Sequence, residues 1–172
     1  MQGAELTAAN DVRIVDSQHH GALLNALVNK GTLCLEVLAQ GPLTNTSYFN
    51  NRGHLTALVT NNGTMTNDGE IDQVMNYQRI ENNSLIHQLN NQIDLMNNKN
   101  GVIENLESKG TIKNSGMINN LHMMQGHVDS DGVIQTITQE SGQIIAKQVV
   151  DHLEAIGGHF TGEVKETNAQ GS

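Results

Sequence analysis

Tryptophan is absent from the chain, and phenylalanine and tyrosine occur only twice each in 172 residues. A core built around rings is therefore excluded, and so is a sugar cleft paved along its length with aromatic platforms. One proline leaves few obligatory breaks in a backbone ladder. The single cysteine, Cys34, excludes an internal disulfide framework and reads as a small buried hydrophobe. Lysine and arginine number nine against eighteen acidic residues, for a net charge of −9, and they are scattered singly. With no basic stripe to neutralise phosphates, nucleic acid is not an expected partner. No apolar run approaches the roughly eighteen residues of a membrane span. The first residues lack the basic start and apolar block of a signal peptide, so export would need another route or a preceding leader.

What the chain has in quantity is asparagine, twenty-two residues, and glycine, seventeen. Such polarity would suit a disordered chain, but aliphatic residues recur here at a fixed interval, which a disordered chain lacks. Gly101-Val-Ile-Glu-Asn-Leu106, Gly116-Met-Ile-Asn-Asn-Leu121 and Gly132-Val-Ile-Gln-Thr-Ile137 are three statements of one phrase. Each is followed by a second glycine phrase: Gly110-Thr-Ile112, Gly126-His-Val128 and Gly142-Gln-Ile144. A unit of about sixteen residues holding two short strands cannot close a core alone, so the copies must stack and share one.

Cutting at this period gives eight coils: 21–36, 37–52, 53–68, 69–83, 84–100, 101–115, 116–131 and 132–147. The third position reads Leu23, Ala39, Leu55, Ile71, Ile86, Ile103, Ile118, Ile134, and the sixth Ala26, Pro42, Leu58, Val74, Leu89, Leu106, Leu121, Ile137. A third inward column holds Leu33, Met65, Ile112, Val128 and Ile144, two residues after the second glycine. The expected fold is all-β, a single-stranded β-solenoid of about eight sixteen-residue coils rising roughly 38 Å at the spacing of paired strands. Glycine suits corners that need a positive φ or a tight turn, and asparagine tolerates the same region while its amide bonds to the coil above. Irregularities are expected near Pro42 and between Tyr77 and Lys99. Residues 1–20 do not match the repeat and read as an N-terminal cap or tether, with Val12 to Val15 β-prone. Residues 148–172 read as a short amphipathic capping helix and polar tail, because Val149, Leu153 and Ile156 recur at helical spacing before Gly157-Gly158.

The phrases Asn62-Gly-Thr-Met-Thr-Asn-Asp-Gly-Glu-Ile71 and Lys109-Gly-Thr-Ile-Lys-Asn-Ser-Gly-Met-Ile118 resemble the repeats of filamentous-haemagglutinin and autotransporter passenger β-helices. They are similar also to solenoid segments of phage tail fibres and spikes. The resemblance spans roughly residues 21–147 and implies adhesion, virion attachment or a structural shaft. It carries over no catalytic residues. Bactofilin-like cytoskeletal polymers resemble the chain in their short coils.

Searched for chemistry, the sequence offers little that repeats. His54, His87, His122 and His127 occupy the second, fourth, seventh and twelfth places of their coils, so they do not stack on one another and no metal site is expected. His19 and His20 with His159 are the exception, as an adventitious chelate. The acidic corners Asp129-Ser-Asp131 and Asn67-Asp68-Gly-Glu70 do not recur in every coil as calcium repeats do. Glu36, Glu70, Asp72, Asp94, Glu104 and Glu107 are available for polysaccharide cleavage, but of the rings only Tyr77 is near them, and they read as solvated faces. Thr64, Thr66, Thr111, Thr136 and Thr138 do not share one register, as an ice-binding ladder would require.

The expectation is a non-enzymatic structural or attachment module of a phage fibre or bacterial surface adhesin, without cofactor. It would form a homo-oligomer, with a trimer favoured, and meet a surface glycan or protein receptor outside the cell or on a virion. The alternative is a cytoplasmic scaffold that polymerises end to end. A lesser one is a carbohydrate-binding or polysaccharide-degrading β-helix. Should a ligand bind, Tyr48, Phe49 and Tyr77, the only rings outside the tail, would line its site.

Overall fold

The computed structural model describes residues 27–169 without a break, preceded by the strands Thr7–Ala8, Val12–Ile14 and Ala22–Leu23. It is an all-β solenoid of about nine turns, each about sixteen residues long, with no helix among the described residues. One coil shows the plan. Glu70–Asn76 crosses a wide sheet, a corner follows, Arg79–Asn82 crosses a narrow sheet, and a second corner returns the chain to the wide sheet at Leu85–Asn91. The wide sheet holds thirteen strands and the narrow sheet ten, and every pairing is with the coil before or after. Ile71, Ile86, Ile103, Ile118 and Ile134 stand in one parallel register, as do Met65, Ile80, Leu95, Ile112, Val128 and Ile144 on the opposite sheet. At the usual strand spacing nine coils rise roughly 43 Å.

The narrow strands alternate strictly, so Met65 and Asn67 face inward while Thr64 and Thr66 face out. The wide strands do not. Ile71, Val74 and Asn76 are buried, leaving Asp72 and Gln73 outward in succession, and the strand bends between them. The slab enclosed is one side chain deep from each sheet, and it is filled with Ile, Leu, Val and Met; Phe49 is the only ring fully inside. Full burial of each such aliphatic contributes about 1.5–3 kcal/mol, which accounts for a stable core with almost no aromatic residues.

The sixth-position column needs correction at its start. Pro42 is exposed and Leu58 is 39% exposed, whereas Leu43 and Val59 are buried and paired with each other. The cause is one extra residue within His54–Asn61, where the register shifts against Ile71 and Gln73. This bulge gives the early coils their sixteenth residue. From Met117–Met123 onward, the sixteenth residue sits instead at the following corner, where three residues precede His127 rather than two. The longest coil gains a turn closed by the Gly101 amide on the Asn98 carbonyl, 2.8 Å.

The terminal segments also pair into the two sheets. Among the described residues, 148–169, there is no capping helix; Val150–Ala155, His159–Thr161 and Val164–Ala169 are strands that continue both sheets. The bent wide strand explains the error, because it buries residues three apart, as a helix does. Val150 and Leu153 repeat the spacing of Ile134 and Ile137, while Val149 and Ile156, assigned to the helical stripe, are 43% and 48% exposed. Given an open parallel edge to pair with, this segment extends the ladder. In the region read as a cap or tether, Thr7–Ala8 pairs with Val28 and Asn29, and Val12–Ile14 with Leu33 to Leu35. Cys34 is not a core residue, since alternation turns it outward between buried Leu33 and Leu35, with its thiol 3.9 Å from Glu36.

Both corners are held by buried asparagine ladders. One runs through Asn29, Asn45, Asn61, Asn76 and Asn91 to Ser108, with Nδ2 of each residue donating to the side-chain oxygen of the next at 2.7–3.2 Å. The other runs through Asn51, Asn67, Asn82, Asn97 and Asn114 to Ser130 at 2.8–2.9 Å. Each asparagine also ties its own corner. Asn67 Nδ2 donates to the carbonyls of Gly69 (3.1 Å) and Leu85 (3.1 Å), and Asn67 Oδ1 accepts the Gly69 amide (3.3 Å). A fully satisfied amide can thus stay at 0% exposure.

Candidate functional site

With the interior filled, recognisable chemistry lies on the outer face of the wide sheet. The bend in each wide strand produces a groove of about 600 Å³ running along the rod axis. Along its bottom runs the column Val74, Leu89, Leu106, Leu121, whose side chains turn into the core. One wall carries Gln73, Gln88, Asn105, Asn120 and Thr136 in continuous register, and the other carries Met75, Asn90, Glu107, His122 and Thr138. The amides bond along the axis, with Asn120 Nδ2 donating to Asn105 Oδ1 at 3.0 Å and Gln73 Nε2 to Gln88 Oε1 at 3.3 Å. The result is an open trough with a polar group at every rung.

Beside the groove, the second and fourth places of successive coils form a ribbon of alternating imidazoles and carboxylates. Strand register sets His54 opposite Glu70, and the bend turns Asp72, His87 and Glu104 to the same face. His54 Nε2 lies 2.9 Å from Asp72 Oδ1 and 3.6 Å from Glu70 Oε1. Glu70 Oε1 lies 2.7 Å from His87 Nε2, and His87 Nδ1 lies 2.6 Å from Glu104 Oε2. Carboxylates thus flank both ring nitrogens of His87, an arrangement that favours the protonated ring, in which both nitrogens donate. Its pKa is raised above 6.5, chiefly by the hydrogen bond to Glu70 and then by that to Glu104. A group whose folded pKa is raised stabilises the fold below its unfolded pKa, and that contribution is lost as pH rises through the folded value. In chelator, the wild-type urea midpoint should fall as pH rises from about 6.5 into the mildly alkaline range, while His87→Gln should give a flatter profile. Parallel profiles for the two proteins would show that the ring is not coupled to folding.

The sequence comparison of histidines with one another missed this ribbon because the partners are carboxylates. The signal was present in the coil alignment, where Glu70 follows His54 in the second place and Asp72, His87 and Glu104 share the fourth. Of the other carboxylates considered for sugar cleavage, Glu107 accepts from Asn90 Nδ2 at 3.3 Å, Glu36 lies 3.6 Å from Arg52, and Asp94 stands between Arg79 and Thr111 in register.

Of the three rings expected to line a ligand site, Phe49 is withdrawn into the core. Phe49 is fully buried and offers no face to a ligand, a consequence of its inward place between Tyr48 and Asn50. Tyr48 and Tyr77 are 38% and 42% exposed, but other residues line the groove. Among the described residues no helix is long and apolar enough to cross a membrane. No family model, curated protein or solved structure matches the chain.

Proposed function

We propose that the chain is a non-enzymatic structural and attachment module, a rod of the kind used in phage fibres or bacterial surface adhesins, and that its groove receives an extended surface glycan. The observation that carries this reading is the axial trough itself. It offers amides and hydroxyls at strand-to-strand intervals of about 4.8 Å, a pattern suited to a linear polymer with hydroxyls along its edges. Ordered ladders on both sides keep these groups in place, which lowers the entropy lost on binding. The aliphatic column Leu85, Val102, Met117 and Val133, of which Met117 and Val133 are 36% and 37% exposed, supports self-association of such rods, with a trimer the expected form.

Retention on immobilised bacterial lipopolysaccharide and capsular polysaccharides, measured beside light scattering of the same sample, tests the proposal. Wild type should be retained on at least one of these glycans as a closed oligomer. The double variant Asn105→Ala with Asn120→Ala should lose most of that retention with little change in melting temperature, because both side chains are exposed. Equal retention by the variant would remove the groove from the reading. A second reading, a scaffold that polymerises end to end, draws on His159–Thr161 and Val164–Ala169, which stand last in their sheets and pair on one side only among the described residues. Particle mass that grows steadily with concentration would favour it.

A further inference from the structure

We propose that His54, Glu70 and Asp72 form a binding site for a divalent transition-metal ion of the zinc type, completed by water. One donor atom each from His54, Glu70 and Asp72 fall within 4.8 Å of one another. The contacts of 2.9 and 3.6 Å from His54 Nε2 to Asp72 and Glu70 bracket the separation of about 3.3 Å between ligands held tetrahedrally at about 2.0–2.1 Å from zinc. His87 Nε2, 2.7 Å from Glu70 Oε1, faces the same carboxylate from the next coil. Glu104 sits on the other ring nitrogen of His87, so that ring holds the Glu70 carboxylate from outside the site.

The donors come from two consecutive wide strands, His54–Asn61 and Glu70–Asn76, whose register is locked by their neighbours, so the ligands are preorganised rather than gathered from loops. They are also accessible. Side-chain exposures of 35% for His54 and 39% for Glu70 and Asp72 let an ion enter and keep water on it. Three carboxylates face two imidazoles in this ribbon, so with both rings neutral it carries a charge of about −3 that a dication would offset. Mixed imidazole and carboxylate donors select zinc, nickel or copper over magnesium and calcium, which prefer oxygen alone. The neighbouring His122 provides a built-in contrast. Its carboxylates Glu140 and Glu107 lie on opposite ring nitrogens, at 2.6 and 3.9 Å, so no single ion takes both through that ring.

Calorimetric titration of the chelator-treated full chain with zinc chloride tests the site. Wild type should take up one equivalent that His54→Gln and Asp72→Asn each weaken by at least about tenfold, while His122→Gln retains it. Loss in His54→Gln distinguishes this site from chelation by His19, His20 or His159. Cobalt(II) should give visible absorption bands in wild type that are absent from His54→Gln, and excess calcium or magnesium should not displace zinc. All substituted side chains face outward, so circular dichroism should confirm unchanged folds. Absence of stoichiometric uptake by wild type, uptake unchanged in His54→Gln, or displacement by calcium would each overturn the proposal.

Discussion

Replacing Asn67 with alanine should lower the stability of the rod by about 3–5 kcal/mol, read as a fall in the urea midpoint followed by far-ultraviolet circular dichroism. Asn67 lies in the middle of a buried ladder at 0% exposure, accepting from Asn51 and donating to Asn82, each at 2.9 Å. Truncation opens a cavity and removes the acceptor of the Gly69 amide, one donor to the Leu85 carbonyl and both neighbouring links of the ladder. A buried polar group left without its partner costs about 1–3 kcal/mol, and the cavity adds to that. Each coil of a solenoid depends on its neighbours, so amide exchange should accelerate at Gly69 and in the adjoining coils. Exposed Asn120, whose amide meets Asn105 at the surface, is the control, and Asn120→Ala should change stability by no more than about 0.5 kcal/mol. Similar losses at the two positions would mean that the ladder is not a principal support of the fold.

Gly126→Ala should be comparably damaging, about 3–5 kcal/mol, for two reasons that add. The residue has φ of 97°, in the left-handed region that alanine adopts only at a cost of about 1–3 kcal/mol. A Cβ at this position would also stand 2.1 Å from the Gly110 carbonyl oxygen of the coil below, and a clash with backbone cannot be relieved by rotating a side chain. The coils would have to separate locally, breaking the bond from the Gln143 amide to the Gly126 carbonyl (3.0 Å) or that from the His127 amide to Gly110 (3.2 Å). Thermal denaturation would register the loss as a lower midpoint. A midpoint within a degree or two of wild type would refute the steric argument.

These two positions also show why the corners were only partly legible. The glycines were expected at corners that need a positive φ or a tight turn; positive φ applies at Gly126 and Gly142 but not at Gly69 or Gly132. There the reason is contact between coils: a Cβ on Gly69 would lie 2.2 Å from the Gly53 carbonyl oxygen, and one on Gly132 would lie 2.2 Å from that of Gly116. Asparagine was likewise expected to bond between coils, yet its depth was not foreseen. A residue type usually found at the surface is buried here because stacking supplies every hydrogen bond that the amide needs. The groove was invisible for a related reason. Nothing in Ile71-Asp-Gln-Val74 taken alone says that the strand bends outward at Asp72 and Gln73 rather than turning helically, and the same ambiguity produced the helix assigned to residues 148–172.

The sequence by itself determined the class and the period. Aliphatic residues returning with glycine every fifteen to seventeen positions can bury themselves only by stacking, since no single unit encloses a core, and the poverty in rings sets how thin that core must be. What the tertiary structure alone decided is which side each residue faces and what it meets there. One inserted residue in His54–Asn61 moves Leu58 out and Val59 in, and the register across coils places Glu70 between His54 and His87. Those relations join residues fifteen to eighteen positions apart through parallel backbone ladders. Their geometry depends on where each strand bends, a property that local preference leaves open and that packing against the next coil settles.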